Sequence, residues 1–298
     1  ITLAQTGNFS KSAKLRHVTQ PAFSRRIQAL EAWLGCELID RGVYPTRLSS
    51  QGAVFYEQAL GMLEQIRQTR SIVRGSIRNE RSRAVIHVAV PHTIAFSRCP
   101  AWFEELRTRL SMQGAQVRFK LTACNVHDAV SFFIDGGCDF LVCFYHSLEP
   151  IEFDPALYEV RSLGEEGFLP YASAKAPREP KFKLDPLAPL PVPVLGFAKH
   201  AYLSHMMNLC MANGPLFKHE IVFETDMSEC MKSMCERGAG VAWLPSSAVD
   251  QATWTNLVPI PGPYQTSMEI RLVRRKPNQL EPGAGHSAFE SVWSLWPD

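Results

Sequence analysis

The sequence predicts an α/β protein built from an N-terminal winged helix-turn-helix, a linker helix and a two-lobed α/β domain. Three observations predict it. Residues 8–52 read as short helix, turn, capped helix and basic hairpin. Residues 51–83 read as one long amphipathic helix followed by a polar hinge. From residue 84 onward, apolar strands alternate with amphipathic helices. A chain of 298 residues exceeds the usual size of one hydrophobic core, so several domains are expected. The expected boundaries are 1–50, 51–83 and 84–298. The last divides into one lobe of 84–163 with 265–298 and another of 164–264.

The formal net charge is only +2, but it is unevenly spread. Residues 1–83 hold 13 Lys/Arg against 6 Asp/Glu, and the remainder holds 18 against 23. A basic front end on an acidic body suggests a module facing nucleic acid joined to one that does not. No run of about 18 apolar residues occurs, so no membrane span is expected. The first residue is Ile1, and no basic, apolar and cleavable leader follows it, so a trimmed, cytoplasmic chain is expected. Eight cysteines show neither C-x-x-C spacing nor pairing with His suited to zinc. Buried, reduced thiols and no metal or cofactor are therefore expected.

Taking the elements in order, residues 1–6 read as the end of a helix that Gly7 and Asn8 terminate, and Ser10 caps a short helix over 11–17. Thr19 caps the next, with Pro21 in the first turn, where its missing N–H does no harm. In that helix Phe23, Ile27, Leu30 and Leu34 line one face, while Gln20, Pro21, Ser24, Arg25 and Gln28 fall on or beside the opposite one. A helix in the major groove needs such side chains near its N-terminus, arginine suiting guanine and glutamine adenine. An ordinary solvated face would have the same pattern. The short capped helix before it and the hairpin after it, however, favour the DNA reading. Cys36–Ser50 reads as strand, turn and strand, with Arg41 and Arg47 flanking a tip over 42–46 that contains Pro45.

NFSKSAKLRHVTQPAFSRRIQALEAWLGCELIDR, followed by PTRLSSQG, resembles the N-terminal signature of LysR-type transcription regulators over residues 8–52. The resemblance implies a sequence-specific regulator of operator DNA. In that family the positions of Gln20, Pro21, Ser24 and Arg25 approach bases, the wing holds phosphate, and the two-lobed domain is a periplasmic-binding-protein-like effector domain; Thr19 and the nearby backbone amides can hold phosphate as well. Phe55, Ala59, Met62, Ile66, Thr69 and Val73 form one narrow apolar stripe, which calls for a partner helix. In the family the partner is a second copy, giving a homodimer or tetramer. Packing on its own domain is the alternative.

The second domain begins with strands at 84–90, 116–123 and 139–145, separated by helices at 96–110 and 126–134. That order implies a parallel sheet whose ligand site lies beyond the carboxyl ends of the strands. After 157–161 the pattern restarts, with strands at 167–172 and 192–197 and a Pro-rich loop over 176–193. A helix at 201–212, a strand at 220–224 and a helix capped by Thr225 or Asp226 and running through Arg237 follow. A strand after 238–240, a late strand at 268–274 and a helix at 286–296 close the domain. Gly238-Ala239-Gly240 follows a helix rather than a strand, which suits a helix end and not phosphate binding. By analogy with the fold, the cleft should be lined by Thr93, Asn125, His146, Lys199, His200, Thr225, Asp226 and Gly240, suited to a carboxylate or another small polar group.

Met227, Met231 and Met234 share a helix with Cys230 at the edge of their face. A soft apolar core is one reading of them. Oxidant sensing is the other, because a sulfoxide turns an apolar side chain polar. DMSE followed by GAGVAWLP is similar to the hypochlorite-responsive branch of the family, which matches Met227 to a sensing methionine. A second such methionine, after a tyrosine, is replaced here by Leu203 after Tyr202. A conventional small-molecule effector remains the competing expectation. No Gly-x-Ser-x-Gly, His-Glu-x-x-His or P-loop motif is present, so no enzyme activity is expected. A two-lobed solute receptor without a gene-regulatory role is the alternative function.

Overall fold

The computed structural model describes residues 1–16, 18–42, 46–56, 58–59, 61–62, 66, 84–176, 179–199, 201–249, 256–276 and 284–297. The chain forms two compact units, Ile1–Ser82 and Arg83–Asp298.

In the first unit, α1 (Thr2–Thr6), α2 (Phe9–Leu15) and α3 (Gln20–Leu34) precede a two-stranded hairpin, β1 (Ile39–Asp40) and β2 (Arg47–Leu48). The cap of α2 is Asn8, not Ser10. Asn8 Oδ1 accepts from Lys11 N at 3.0 Å, which starts the helix early and leaves Ser10 inside it. Thr19 caps α3 as its sequence requires, with Pro21 in the first turn. Phe23 is buried and Ile27, Leu30 and Leu34 pack against the same small core, formed with Leu3, Ala13, Leu38 and Ile39. Residues 50–56, 58, 59, 61, 62 and 66 are helical and form α4. The expected stripe continues to Thr69 and Val73, which lie outside the described residues, as do three residues of the wing tip, 43–45.

The second unit is a mixed sheet in the order β4-β3-β5-β12-β6-β10-β8-β9, with two short strands on β6. β3 (Ala84–Pro91), β4 (Val117–Cys124) and β5 (Phe140–Tyr145) run parallel, joined by α5 (His92–Ser97), α6 (Cys99–Met112) and α7 (Val126–Ile134). The single helix expected over 96–110 is two. Pro100 in the first turn of α6 supplies no N–H to continue α5, and the chain breaks at Arg98.

β6 (Tyr158–Ala176) is one 19-residue strand, far longer than the strand expected over 167–172. Its register with β12 shifts between Glu269 and Arg271, opposite Gly164 at φ 102, a conformation that favours glycine. That bulge disrupts the alternation and gives the sequence its apparent restart. β7 (Glu179–Pro180) pairs with the end of β6, in a stretch the sequence presents only as Pro-rich loop.

The other half of the sheet holds β8 (Val192–Phe197), α8 (Tyr202–Ala212), β9 (His219–Thr225), α9 (Ser228–Glu236), β10 (Val241–Pro245) and β11 (Leu257–Pro259). β8, β9 and β10 are parallel. β12 (Thr266–Arg275) and α10 (Ala284–Leu295) return to the first half. The cap of α9 is Met227, one residue later than expected, and Thr225 Oγ1 instead accepts from Met227 N at 3.2 Å. Gly238, left-handed at φ 77, closes α9 with its N–H on the Cys235 carbonyl at 2.8 Å, a helix end as the sequence indicates.

The register sets the geometry of the cleft. Tyr145, at the end of β5, stands opposite Glu269, and Pro245, at the end of β10, opposite Phe168. Glu269 and Thr266 of β12 pair with Glu165 and Phe168 of β6, so the carboxyl ends of both parallel sets meet at the centre of the sheet. One hydrophobic core, including Val88, Leu141, Phe168, Leu195 and Trp243, runs through both halves.

Candidate functional site

The helix-turn-helix presents the first candidate surface. Gln20, Pro21, Arg25 and Gln28 are exposed on α3, Ser24 is half-buried, and Thr19 is exposed at the cap. Arg47 is exposed on the hairpin. Arg41 is exposed too, and its Nη2 meets Glu31 Oε2 at 2.5 Å. Glu31 is buried within α3, and its other oxygen accepts from Leu38 N at 3.0 Å and Ile39 N at 3.2 Å. Glu31 thus fastens the hairpin to the recognition helix, and Arg41 neutralises the charge this buries. Spacing alone does not single out Glu31, because a mid-helix glutamate reads as solvated until its partners are known.

The second candidate is the cleft at the centre of the sheet. A pocket of about 30 Å³ is lined by residues that include Thr93, Asn125, Phe144, Tyr202, Asp226 and Ser228. Thr93 Oγ1 donates to Ser228 Oγ at 2.8 Å with both residues buried, and Asn125 Nδ2 donates to Asp226 Oδ2 at 3.1 Å. Each bond joins one parallel half to the other. Asn125, Ala201 and Met227 are the cap residues of α7, α8 and α9, and none makes a side-chain cap hydrogen bond. Three helix N-termini with uncapped N–H groups therefore converge on this pocket, giving it hydrogen-bond donors and partial positive charge. Tyr202 lines the pocket and stacks on Phe144, and its buried hydroxyl lies near the His146 backbone. Burial pushes that phenol far up.

Of the expected cleft residues, Thr93, Asn125 and Asp226 come together here, and Thr225 supports them through Met227 N. His146 stands beside the pocket without lining it, its Nδ1 accepting from Leu148 N at 3.2 Å and its Nε2 bonding Thr266 Oγ1 at 3.1 Å. Lys199 is exposed and does not line the pocket. Gly240 precedes β10 at the opposite end of the strand, where a Cβ would meet the Pro193 carbonyl oxygen at 2.7 Å. Gly240 serves close strand packing there, and analogy with the fold alone does not show at which end of β10 it lies. His200 lies outside the described residues. Tyr202 and Ser228 were missed, although both sit in the first turn of a helix that follows a strand.

Met227 is 44% exposed beside the cleft, Met231 is fully buried, Met234 is half-buried and Cys230 is exposed. Burial pushes the Cys99, Cys143, Cys210 and Cys235 thiols up to about 12, and burial with Asp128 nearby takes Cys124 up to about 11. Such thiols carry little thiolate and are poor oxidation targets. The described residues hold no group of three or more His, Cys, Asp or Glu placed for a metal, and none of their helices is long and apolar enough to cross a membrane.

A basic helix-turn-helix joined to a domain with a small cleft between two sheet halves defines a ligand-responsive DNA-binding protein. The family of the LysR substrate binding domain matches residues 79–287, and the bacterial regulatory helix-turn-helix proteins of the lysR family match residues 1–53. The chain belongs to the LysR family: it is a DNA-binding transcriptional regulator with an effector-binding domain.

Among its relatives is the HTH-type transcriptional regulator YjiE of Escherichia coli K12, 29% identical over 251 residues, which cover 84% of this chain and 78% of that protein. The full-length structure of HypT from Salmonella typhimurium, a hypochlorite-specific LysR-type transcriptional regulator, superposes with a TM-score of 0.58 at 26% identity, covering 99% of this chain and 94% of that one. The crystal structure of the LysR family regulator VV2_1132 gives the same TM-score, identity and coverage.

Proposed function

We propose that this regulator controls operator binding through a small hydrogen-bond-accepting effector or oxidant read at the central cleft. The observation that carries the reading is the pocket where Thr93, Asn125, Tyr202, Asp226 and Ser228 come together at the N-terminal turns of α7, α8 and α9. A pocket of about 30 Å³ admits roughly one or two water-sized groups, far less than the volume of an ordinary organic ligand, so the species is small or parts the two halves on entry. Thr93, Asn125, Asp226, Tyr202 and Ser228 are the residues proposed to contact it.

The exposed Met227 supports the oxidant form of this reading, as does the likeness to the hypochlorite-specific regulator HypT. Met227 occupies a cap position where a thioether satisfies no N–H, and a sulfoxide oxygen there would accept one. Oxidation at this position would therefore alter α9, whose first residue, Ser228, bonds Thr93 across the cleft.

The proposed DNA surface is Thr19, Gln20, Pro21, Ser24, Arg25 and Gln28 with Arg41 and Arg47 of the wing. Val54, Met62 and Ile66 are exposed apolar residues of α4, which supports a homodimer or tetramer paired through this helix. The domain division proposed is 1–50, 51–83 and 84–298. Acting on promoters, the protein would work in the cytoplasm, by binding and without catalysis.

A thermal-shift screen with sodium halides, acetate, aromatic carboxylates and dilute hypochlorite tests the effector, read together with mass spectrometry of Met227. A shift with one of these that Tyr202→Phe weakens supports the cleft. Shifts that Tyr202→Phe and Met227→Leu both leave untouched contradict it.

A further inference from the structure

Behind the cleft, a buried carboxylate sits where the sheet passes from one half to the other. Glu166 is fully buried on β6, two residues past the Gly164 bulge. Its Oε2 accepts from Arg98 Nε at 3.0 Å and Arg98 Nη2 at 2.9 Å. Its Oε1 accepts from Ser246 Oγ and Ser247 N, both at 2.7 Å. Arg98 belongs to the first half, at the break between α5 and α6, while Ser246 and Ser247 follow β10 in the second. All four groups facing the carboxylate are donors, so it is fully satisfied, and an amide in its place would set donor against donor.

The same chain of bonds reaches the cleft. Ser97 Oγ donates to the Thr93 carbonyl at 2.8 Å and meets Ser247 Oγ at 2.9 Å. Thr93 in turn donates to Ser228 across the pocket. A bonded path thus runs from Thr93 through Ser97 and Ser247 to the carboxylate.

We propose that Glu166 and Arg98 form an inter-half latch at the sheet's hinge, a pair of positioning residues that couples the state of the cleft to the angle between the two halves. The inference takes the cleft as the effector site, but the latch itself is testable with no effector present. Sequence spacing gives no hint of it, since the two residues stand 68 positions apart.

Hydrogen–deuterium exchange on the full chain, without added ligand, tests the latch. In Glu166→Gln, amides of Thr93–Ser97, Ser228–Met231 and Ser246–Val249 should exchange about 10- to 100-fold faster, while core strand residues Val88–Val90 and Leu141–Phe144 keep their protection. Arg98→Gln should do the same, and Arg98→Lys should restore part of the loss. Ser97→Ala keeps the ion pair and serves if the charge variants fail to fold. It should speed exchange in α5 and leave Ser246–Val249 protected. Unchanged exchange, or acceleration shared equally with the core strands, overturns the latch. Neither result depends on the outcome of the thermal-shift screen.

Discussion

Thr93 and Ser228 are 135 residues apart in sequence and share a buried 2.8 Å hydrogen bond that spans the cleft. It is one of two direct polar links on the pocket wall, with Asn125 to Asp226, and an effector entering there must disturb or replace it. Thr93→Val keeps the shape and removes the donor. The variant should lose about 1–2 kcal/mol of stability in urea unfolding followed by circular dichroism. No change in midpoint would mean that the bond contributes nothing in solution.

Arg25 and Arg47 should separate by the kind of contact they make. Arg25→Ala should lose about 1–3 kcal/mol at one operator base pair in a gel-shift titration against single-substitution operators. Arg47→Ala should weaken all sequences alike and reduce the salt slope of binding by about 1. A uniform loss for Arg25→Ala would remove it from base reading.

Glu31 should matter for folding of the first unit rather than for base choice. Glu31→Ala leaves the N–H groups of Leu38 and Ile39 without their acceptor and Arg41 without its partner. A loss of about 1–3 kcal/mol is expected in chemical denaturation, with the ranking of operator sequences unchanged. An altered ranking would show that the hairpin does more than brace α3.

The buried thiols predict alkaline sensitivity. A thiol whose folded value lies above its unfolded one keeps its proton longer when folded, so its contribution is complete at lower pH and declines as pH rises toward the folded value. With Cys99, Cys143, Cys210 and Cys235 near 12 and Cys124 near 11, thermal stability should hold up to about pH 8.5 and fall above it. Iodoacetamide at pH 8 should mark the exposed Cys230 before any of these five. Equal labelling, or a melting temperature flat through pH 11, would contradict the burial.

Elements with a local cause were legible in the sequence. α3 has its Thr19 cap, its Pro21 and its apolar face, and α7 and β8 carry their patterns within their own residues. β6 was not legible, because its bulge at Gly164 is fixed by a register with β12 about a hundred residues later. Gln20, Pro21, Arg25 and Gln28 could be grouped from helical spacing alone. Tyr202, Ser228, Arg98 and Glu166 could not be grouped, because their chemistry exists only where distant segments meet. Gly240 marks the reverse case: it has the residue type a cleft role needs, and it is held in place by close strand packing that the spacing conceals.

The central claim, that the cleft and Met227 govern DNA binding, is tested most directly by fluorescence anisotropy of operator DNA with the full chain before and after mild hypochlorite. The account predicts that the wild-type curve shifts by about tenfold in concentration, that Met227→Gln resembles the oxidised protein untreated, and that Met227→Leu does not respond. Superimposable curves for treated and untreated wild type, with Met227 found oxidised by mass spectrometry, would contradict it.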